Sequence, residues 1–328
     1  MKVGIIFPGQ GTQFLGMGKE FYDRERIVQE LFEQASNCLD QNFVRLCFAS
    51  SESELRQTIN AQTAIFLVGA SIFDLLNKKY DIKPTIIAGH SCGEYTAIYA
   101  GGGINFSDAL YLLKKRAAFM QKATLQNNGS MIAVVGANLE ELQDICKKYD
   151  NAEDNKIVEI VNFNSPNQFV ISGTLPELEN VKSDLRELKV KTIPLKVAGA
   201  FHSRLMRDAE QEFEKFMLKV DLKDLQIPIV TNLEAKLISD SLDVKRSIIK
   251  QISRPVLWWQ SMQKFKDLDL IISVGPGDKL AKIIKREWPE KNIHSVNTFE
   301  DMQNLLTVLE KKLKIDEDHE RIDLFSKK

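Results

Sequence analysis

The chain has 328 residues, 44% of them hydrophobic, and its 44 Lys and Arg nearly balance 45 Asp and Glu, for a formal charge of −1. That length supports one large core, or a domain carrying an insertion, and the neutral balance argues against wholesale nucleic-acid binding, which wants a strongly basic domain. Cys38, Cys47, Cys92 and Cys146 show no CxxC or metal-type spacing, which fits a reducing cytoplasm without a metal site, and no apolar stretch reads as the ~20 residues of a bilayer span.

Val3 to Phe7 reads as a buried strand, too brief for a signal peptide, stopped by Pro8-Gly9-Gln10-Gly11. Leu67 to Tyr80 reads as a helix and Thr85 to Gly89 as a short strand running directly into Ser91. Gly93 to Ala100 follows as a helix, then Asp108 to Ala123 as an amphipathic helix with Ser107 as its N-cap. The pattern changes at the breaker cluster Asn127-Asn128-Gly129. Met131–Val135, Ile157–Asn162, Gln168–Ser172 and Thr192–Val197 read as strands, and Leu139–Tyr149 and Pro176–Leu188 as helices. This βαββαβ order is the ferredoxin-like pattern. Helices at Met206–Val220, Val244–Ser253 and Lys279–Glu287 then alternate with strands at Ile227–Asn232 and Leu270–Val274. We therefore expect an α/β fold with a mainly parallel sheet over 1–127 and 198–310, a small inserted domain over 128–197, and a charged tail over 311–328.

The run Gly89-His90-Ser91-Cys92-Gly93 fits G-x-S-x-G between a strand and a helix, the context of a nucleophile elbow. Ser91 is thus the candidate nucleophile, and a serine needs a base. Of four histidines, His319 lies in the charged tail and His294 near a late strand, while an elbow turns His90 away from its neighbour. His202 sits in the small-residue loop Ala198-Gly199-Ala200-Phe201-His202-Ser203, at the return from the insertion, and is the leading base. The turn at Pro8-Gly9-Gln10-Gly11 leaves backbone N–H groups free at a strand's carboxyl end, and it reads either as a plain tight turn or as half of an oxyanion hole shared by the N–H groups of Gln10 and Cys92. No Gly-Lys-Ser/Thr follows Gly11, so a phosphate loop is not indicated. Arg116 falls inside the apolar stripe of Ala109, Leu112, Leu113 and Met120. A guanidinium on a buried face needs a carboxylate, either from the protein or from a substrate held bidentately. The elbow alone fits a serine hydrolase equally well; a carboxylate clamp at Arg116 weighs against that.

Five separated motifs occur in register: Phe7-Pro8-Gly9-Gln10-Gly11, Gly89-His90-Ser91-Cys92-Gly93-Glu94, Arg116 with Phe119-Met120-Gln121, Asn162-Phe163-Asn164-Ser165-Pro166, and Ala200-Phe201-His202 with Leu205-Met206. Together they resemble the malonyl-CoA:acyl carrier protein transacylase family, from about residue 1 to about 310. The resemblance implies an α/β-hydrolase-like large domain with a ferredoxin-like insertion. It implies an acyl-Ser91 intermediate, His202 as general base, an oxyanion hole at Gln10 and Cys92, and Arg116 on the free carboxylate of malonyl. It further implies that a backbone carbonyl at Gln251 orients the histidine and that Asn164 lines the cleft. Phe201 leaves little room for a branched acyl group. No bound cofactor is expected; malonyl-CoA is the substrate, and acyl carrier protein, through its phosphopantetheine thiol, is the partner of a cytoplasmic monomer. Basic residues at Lys279, Lys282, Lys285 and Arg286, and at Lys245, Arg246 and Lys250, read as a docking rim for that acidic partner or as ordinary solvated faces. Cys92 departs from the larger apolar residue usual there, which bears on pocket shape and on sensitivity to oxidation.

Overall fold

The computed structural model describes residues 1–310, so the charged tail with His319 lies outside the described residues. The chain opens on β1 (Val3–Phe7), β-branched and aromatic in composition and buried at each position. Four helices follow that no motif announces: α1 (Lys19–Arg24), α2 (Arg26–Leu39), α3 (Phe43–Phe48) and α4 (Glu52–Arg56). Then comes α5 (Thr58–Asp74), which begins nine residues before the expected helix and runs on through a wide turn at Leu75–Lys79. Contrary to the expectation that no stretch approaches a membrane span, Thr58–Lys79 is long and apolar enough by length and composition. Nearly all of it is packed inside the protein, where it carries polar side chains such as Gln62 to internal partners.

The chain continues with β2 (Ile86–Gly89), α6 (Gly93–Ala100) and α7 (Phe106–Gln126). The N-cap of α7 is Asn105, not Ser107: its side chain accepts the Asp108 N–H at 2.9 Å from an extended backbone, so the helix starts earlier than expected. Ser107 instead accepts a bond from Gln34.

A four-stranded antiparallel sheet follows, from β3 (Gly129–Val135), α8 (Leu139–Tyr149), β4 (Val158–Ser165), β5 (Gln168–Thr174), α9 (Leu175–Glu187) and β6 (Lys191–Pro194). Its spatial order is β4-β5-β3-β6. Its own core, including Ile132, Val134, Leu142, Phe169 and Leu178, is separate from the main one.

The remaining elements return to the first sheet: α10 (Arg207–Met217), β7 (Ile229–Val230), β8 (Leu237–Ile238), α11 (Ser241–Lys250), α12 (Trp258–Met262), β9 (Leu270–Val274), α13 (Lys279–Glu287) and β10 (Ile293–Val296), with residues 299–310 helical. The sheet order is β10-β9-β1-β2-β7-β8, parallel throughout except for the β7–β8 edge pair. The fold is α/β. Main chain joins the two sheets at Val256, whose N–H donates to Val161 at 2.8 Å and whose carbonyl accepts from Phe163 at 3.1 Å.

Candidate active site

β2 ends at Gly89, the chain turns sharply, and α6 starts at Gly93. A Cβ on Gly89 would lie 2.0 Å from the Gly93 carbonyl, and one on Gly93 would lie 2.5 Å from the Phe7 carbonyl oxygen. Only glycine permits that closeness, which presses the end of β1 against the turn. At the apex Ser91 holds a left-handed backbone, φ 52°, a conformation that a non-glycine residue keeps only when its surroundings enforce it. Asn232, just after β7, is the enforcer: its Oδ1 accepts the Ser91 N–H at 2.7 Å and its Nδ2 donates to the Gly89 carbonyl at 2.6 Å.

Cys92 is buried, and burial raises its thiol, opposed by the nearby Arg116 charge and by the backbone N–H groups of Gln10, Cys92 and Gly93. Those N–H groups therefore act on the Cys92 side chain, next in the chain to Ser91. A thiol raised by burial stays protonated at neutral pH, so the thiolate on which oxidation depends is scarce.

His202 also has a left-handed backbone, φ 61°. Its loop is pinned by Ser203, which donates to the Ala200 carbonyl, and by Ser172 on β5, which donates to the Phe201 carbonyl, both at 2.7 Å. The His202 Nδ1 lies 2.8 Å from the Gln251 carbonyl, and Nε2 lies 2.7 Å from Ser91 Oγ. A carbonyl oxygen only accepts, so Nδ1 carries the proton and Nε2 is free to accept from the serine hydroxyl. Burial, reinforced by the positive charge of Arg116, pushes the imidazole down to about 3. At neutral pH it is uncharged, the state a base requires. His90 is turned the other way, with Nε2 on Asn164 Oδ1 at 2.9 Å and its ring edge-on to Trp258.

Arg116 is fully buried on α7. The directly bonded protein carboxylate is missing: no ion pair to Arg116 exists among the described residues. Its partners are neutral: Gln62 Oε1 at 2.7 Å, Gln251 Oε1 at 2.9 Å and Ser91 Oγ at 3.2 Å. Its Nε has no partner. The guanidinium also lies 5.5 Å from the centre of the Tyr95 ring. The buried carboxylate is one residue removed. Glu94 receives the Gln251 Nε2, the Asn232 N–H and the Ser247 hydroxyl, and burial pushes it up to about 7 against those donors.

Ser91 and His202 open onto a cleft of about 550 Å³ walled by both sheets, with Gln10 and Gln62 beside Ser91, Met131, Asn164 and Val170 opposite, and Phe201 at the His202 loop; Arg116 lies buried behind Ser91 and does not line it. Asn164 thus lines the cleft, although its side-chain oxygen is engaged by His90. Arg56, Lys196 and Lys279 stand at its edge. Among the described residues no group of three or more His, Cys, Asp or Glu side chains is placed to hold a metal ion. Gln62, Glu94 and Asn232 were not anticipated as part of the site. Gln62 left a faint trace, a polar residue in an apolar helix; Glu94 stood inside a quoted motif without a role.

A serine hydroxyl thus meets an uncharged imidazole and a guanidinium that has no ion-pair partner among the described residues. Residues 5–312 match the acyl transferase domain family. A malonyl CoA-acyl carrier protein transacylase of Bacillus subtilis is 35% identical over 87% of this chain and 90% of its own. The chain belongs to the malonyl CoA-acyl carrier protein transacylase family. A transacylase structure from Clostridium perfringens superimposes with a TM-score of 0.91 at 31% identity, covering 97% of this chain and 100% of that one. Another similar structure is of a malonyl-transacylase in complex with a type II polyketide synthase acyl-carrier protein, with a TM-score of 0.89 at 28% identity over 95% of this chain and 100% of that one. In transacylase terms, the elbow, the His202 loop and Arg116 come from three distant parts of the chain and meet at the Ser91 hydroxyl.

Proposed function

We propose that this transacylase moves a malonyl group from malonyl-CoA to the phosphopantetheine thiol of acyl carrier protein, with Ser91 carrying it between. In the first half, His202 Nε2 takes the Ser91 proton as Oγ attacks the thioester carbonyl. The oxyanion rests on the N–H groups of Gln10 and Cys92, each worth about 3 kcal/mol in such sites. The C–S bond then breaks, His202 returns the proton to the leaving sulfur, and CoA departs as the thiol. In the second half the carrier thiol gives its proton to His202 and attacks the malonyl-serine ester, which restores the Ser91 hydroxyl and releases malonyl-carrier thioester. The Gln251 carbonyl holds the imidazole in the tautomer that both halves need.

The single observation that carries this reading is Arg116: fully buried, 3.2 Å from Ser91 Oγ, with no ion-pair partner and an unpartnered Nε among the described residues. A guanidinium has five N–H donors. Three are engaged, by Gln62, Gln251 and Ser91; a carboxylate held side-on would use the free Nε–H together with an Nη2–H that now reaches Ser91 or Gln251. Phe201, buried at the His202 loop, favours malonyl over a branched acyl group.

In this reading the larger unit, 1–127 with 198–310, is α/β-hydrolase-like, and 128–197 is a ferredoxin-like insertion that walls the cleft. The strand order β4-β5-β3-β6 and its separate core support the second part. The protein acts as a cytoplasmic monomer and holds no bound cofactor. Intact mass after mixing with malonyl-CoA tests the reading: the wild type gains one malonyl group and Ser91→Ala gains none. An unchanged wild-type mass, or a malonylated Ser91→Ala, overturns it.

A further inference from the structure

We propose that Glu94 is a positioning residue that aims the Arg116 guanidinium by fixing which way the Gln251 side-chain amide faces. This rests on the reading of Arg116 as the malonyl carboxylate's partner. The two ends of a primary amide are nearly the same size, so its neighbours decide its orientation. Towards Arg116 the Gln251 end must be an acceptor, and Oε1 lies 2.9 Å from Nη2. Reversed, an NH₂ group would face the cation and push it off its line to Ser91.

At the other end Gln251 Nε2 meets three acceptors: Glu94 Oε2, the Ser91 carbonyl at 3.0 Å and Asn232 Oδ1 at 3.3 Å. All three also serve a second donor: the Ser91 carbonyl takes the Glu94 N–H, Asn232 Oδ1 the Ser91 N–H, and Glu94 Oε2 the Asn232 N–H. Glu94 is the one carboxylate among the three: whenever it is ionised it is the strongest acceptor, and its three donors favour that form against the burial that raises it. Each partner of the Glu94 carboxylate is a donor: Gln251 Nε2, the Asn232 N–H and the Ser247 hydroxyl. A glutamine at 94 would set its own NH₂ against one of them. Glu94 is fully buried and does not line the cleft, so it acts on the acyl group only through its neighbours.

The experiment compares loading of malonyl and acetyl groups, from malonyl-CoA and acetyl-CoA, by intact mass against time. It uses the wild type, Glu94→Gln, Gln251→Met and the double variant. Glu94→Gln lowers the malonyl-to-acetyl rate ratio about tenfold, the size expected for losing one charge-assisted bond. Gln251→Met, which keeps the main-chain carbonyl on His202, lowers it comparably, and the double variant falls no further, because both changes break one chain of contacts. Equal loss for both acyl groups, or additive losses in the double variant, overturns the proposal. If Glu94→Gln fails to fold, judged by its thermal transition, Gln251→Met carries the test, and an unchanged ratio there overturns the proposal. A wild type that loads both acyl groups equally instead overturns the role of Arg116, on which this one depends.

Discussion

Two catalytic candidates share an uncommon backbone: Ser91 and His202 are both non-glycine residues at positive φ. Each conformation costs on the order of 1–3 kcal/mol, and each is held by side chains of other elements, Asn232 for the serine, and Ser172 for the loop before the histidine. The histidine carries a second cost that depends on pH. Its folded value is about 3 against an ordinary 6.5. A depressed value means that between those limits the unfolded chain binds a proton and the folded one does not. The stability this group contributes is complete above 6.5 and is lost as pH falls towards 3. Glu94, raised to about 7 from 4.5, works in the opposite direction between those values. A variant at His202 alone separates the two. Relative to His202→Gln, the wild type should lose on the order of 2 kcal/mol between pH 7 and pH 5. Urea unfolding at the two pH values measures it; a constant difference would mean that the imidazole is not buried uncharged.

At the scale of elements, the elbow is set by what cannot be there. A Cβ on Gly93 would meet the Phe7 and Pro8 carbonyl oxygens at 2.5 and 2.6 Å, and main-chain atoms inside a parallel sheet have nowhere to move. Gly93→Ala should cost about 3 kcal/mol or more and prevent malonyl loading even where it folds; a thermal transition within a few degrees of wild type would sink that account. The elbow and the α7 stripe were legible in the sequence because each is written within one stretch of chain, as a spacing or a period. The site's inner layer was not. Gln62, Glu94 and Asn232 belong to three elements, and what gives each its role is a partner far along the chain, such as Glu94 for Gln251. The short helices α1, α3 and α4 carry no motif, whereas α2, 14 residues long, shows its period in Val28, Leu31, Phe32, Ala35 and Leu39 and was overlooked. The strand expected over Ile227–Asn232 shrinks to Ile229–Val230, since Asn232 is drawn out of the sheet to serve Ser91 and Gly89.

Over the whole molecule, near-neutral charge conceals an uneven arrangement. The basic residues read as a rim have local partners: Lys245 the Val220 carbonyl, Arg246 Glu234, Lys250 Glu210 and Lys282 Asp278. Lys279, which donates to the Gly11 carbonyl, stands at the cleft edge. Exposed ion pairs are weak, so the partnered lysines of α13 remain available to an acidic carrier. Reversing Lys282 and Lys285 to Glu should raise the carrier's KM several-fold and flatten its salt dependence, while malonyl loading from CoA is unchanged. Unchanged carrier kinetics would assign these residues to an ordinary solvated face.

The main-chain tie at Val256 has a mechanical consequence. Gln251, which holds His202, lies five residues upstream of a segment laced into β4 by two backbone hydrogen bonds. Arg204, two residues beyond His202, is gripped by Glu159 on that same strand and by Asp150 at the end of α8. The histidine is thus slung between two tethers that share one anchor. A load that tilts the small sheet pulls on both, so the arrangement acts as a stiff clip on the imidazole.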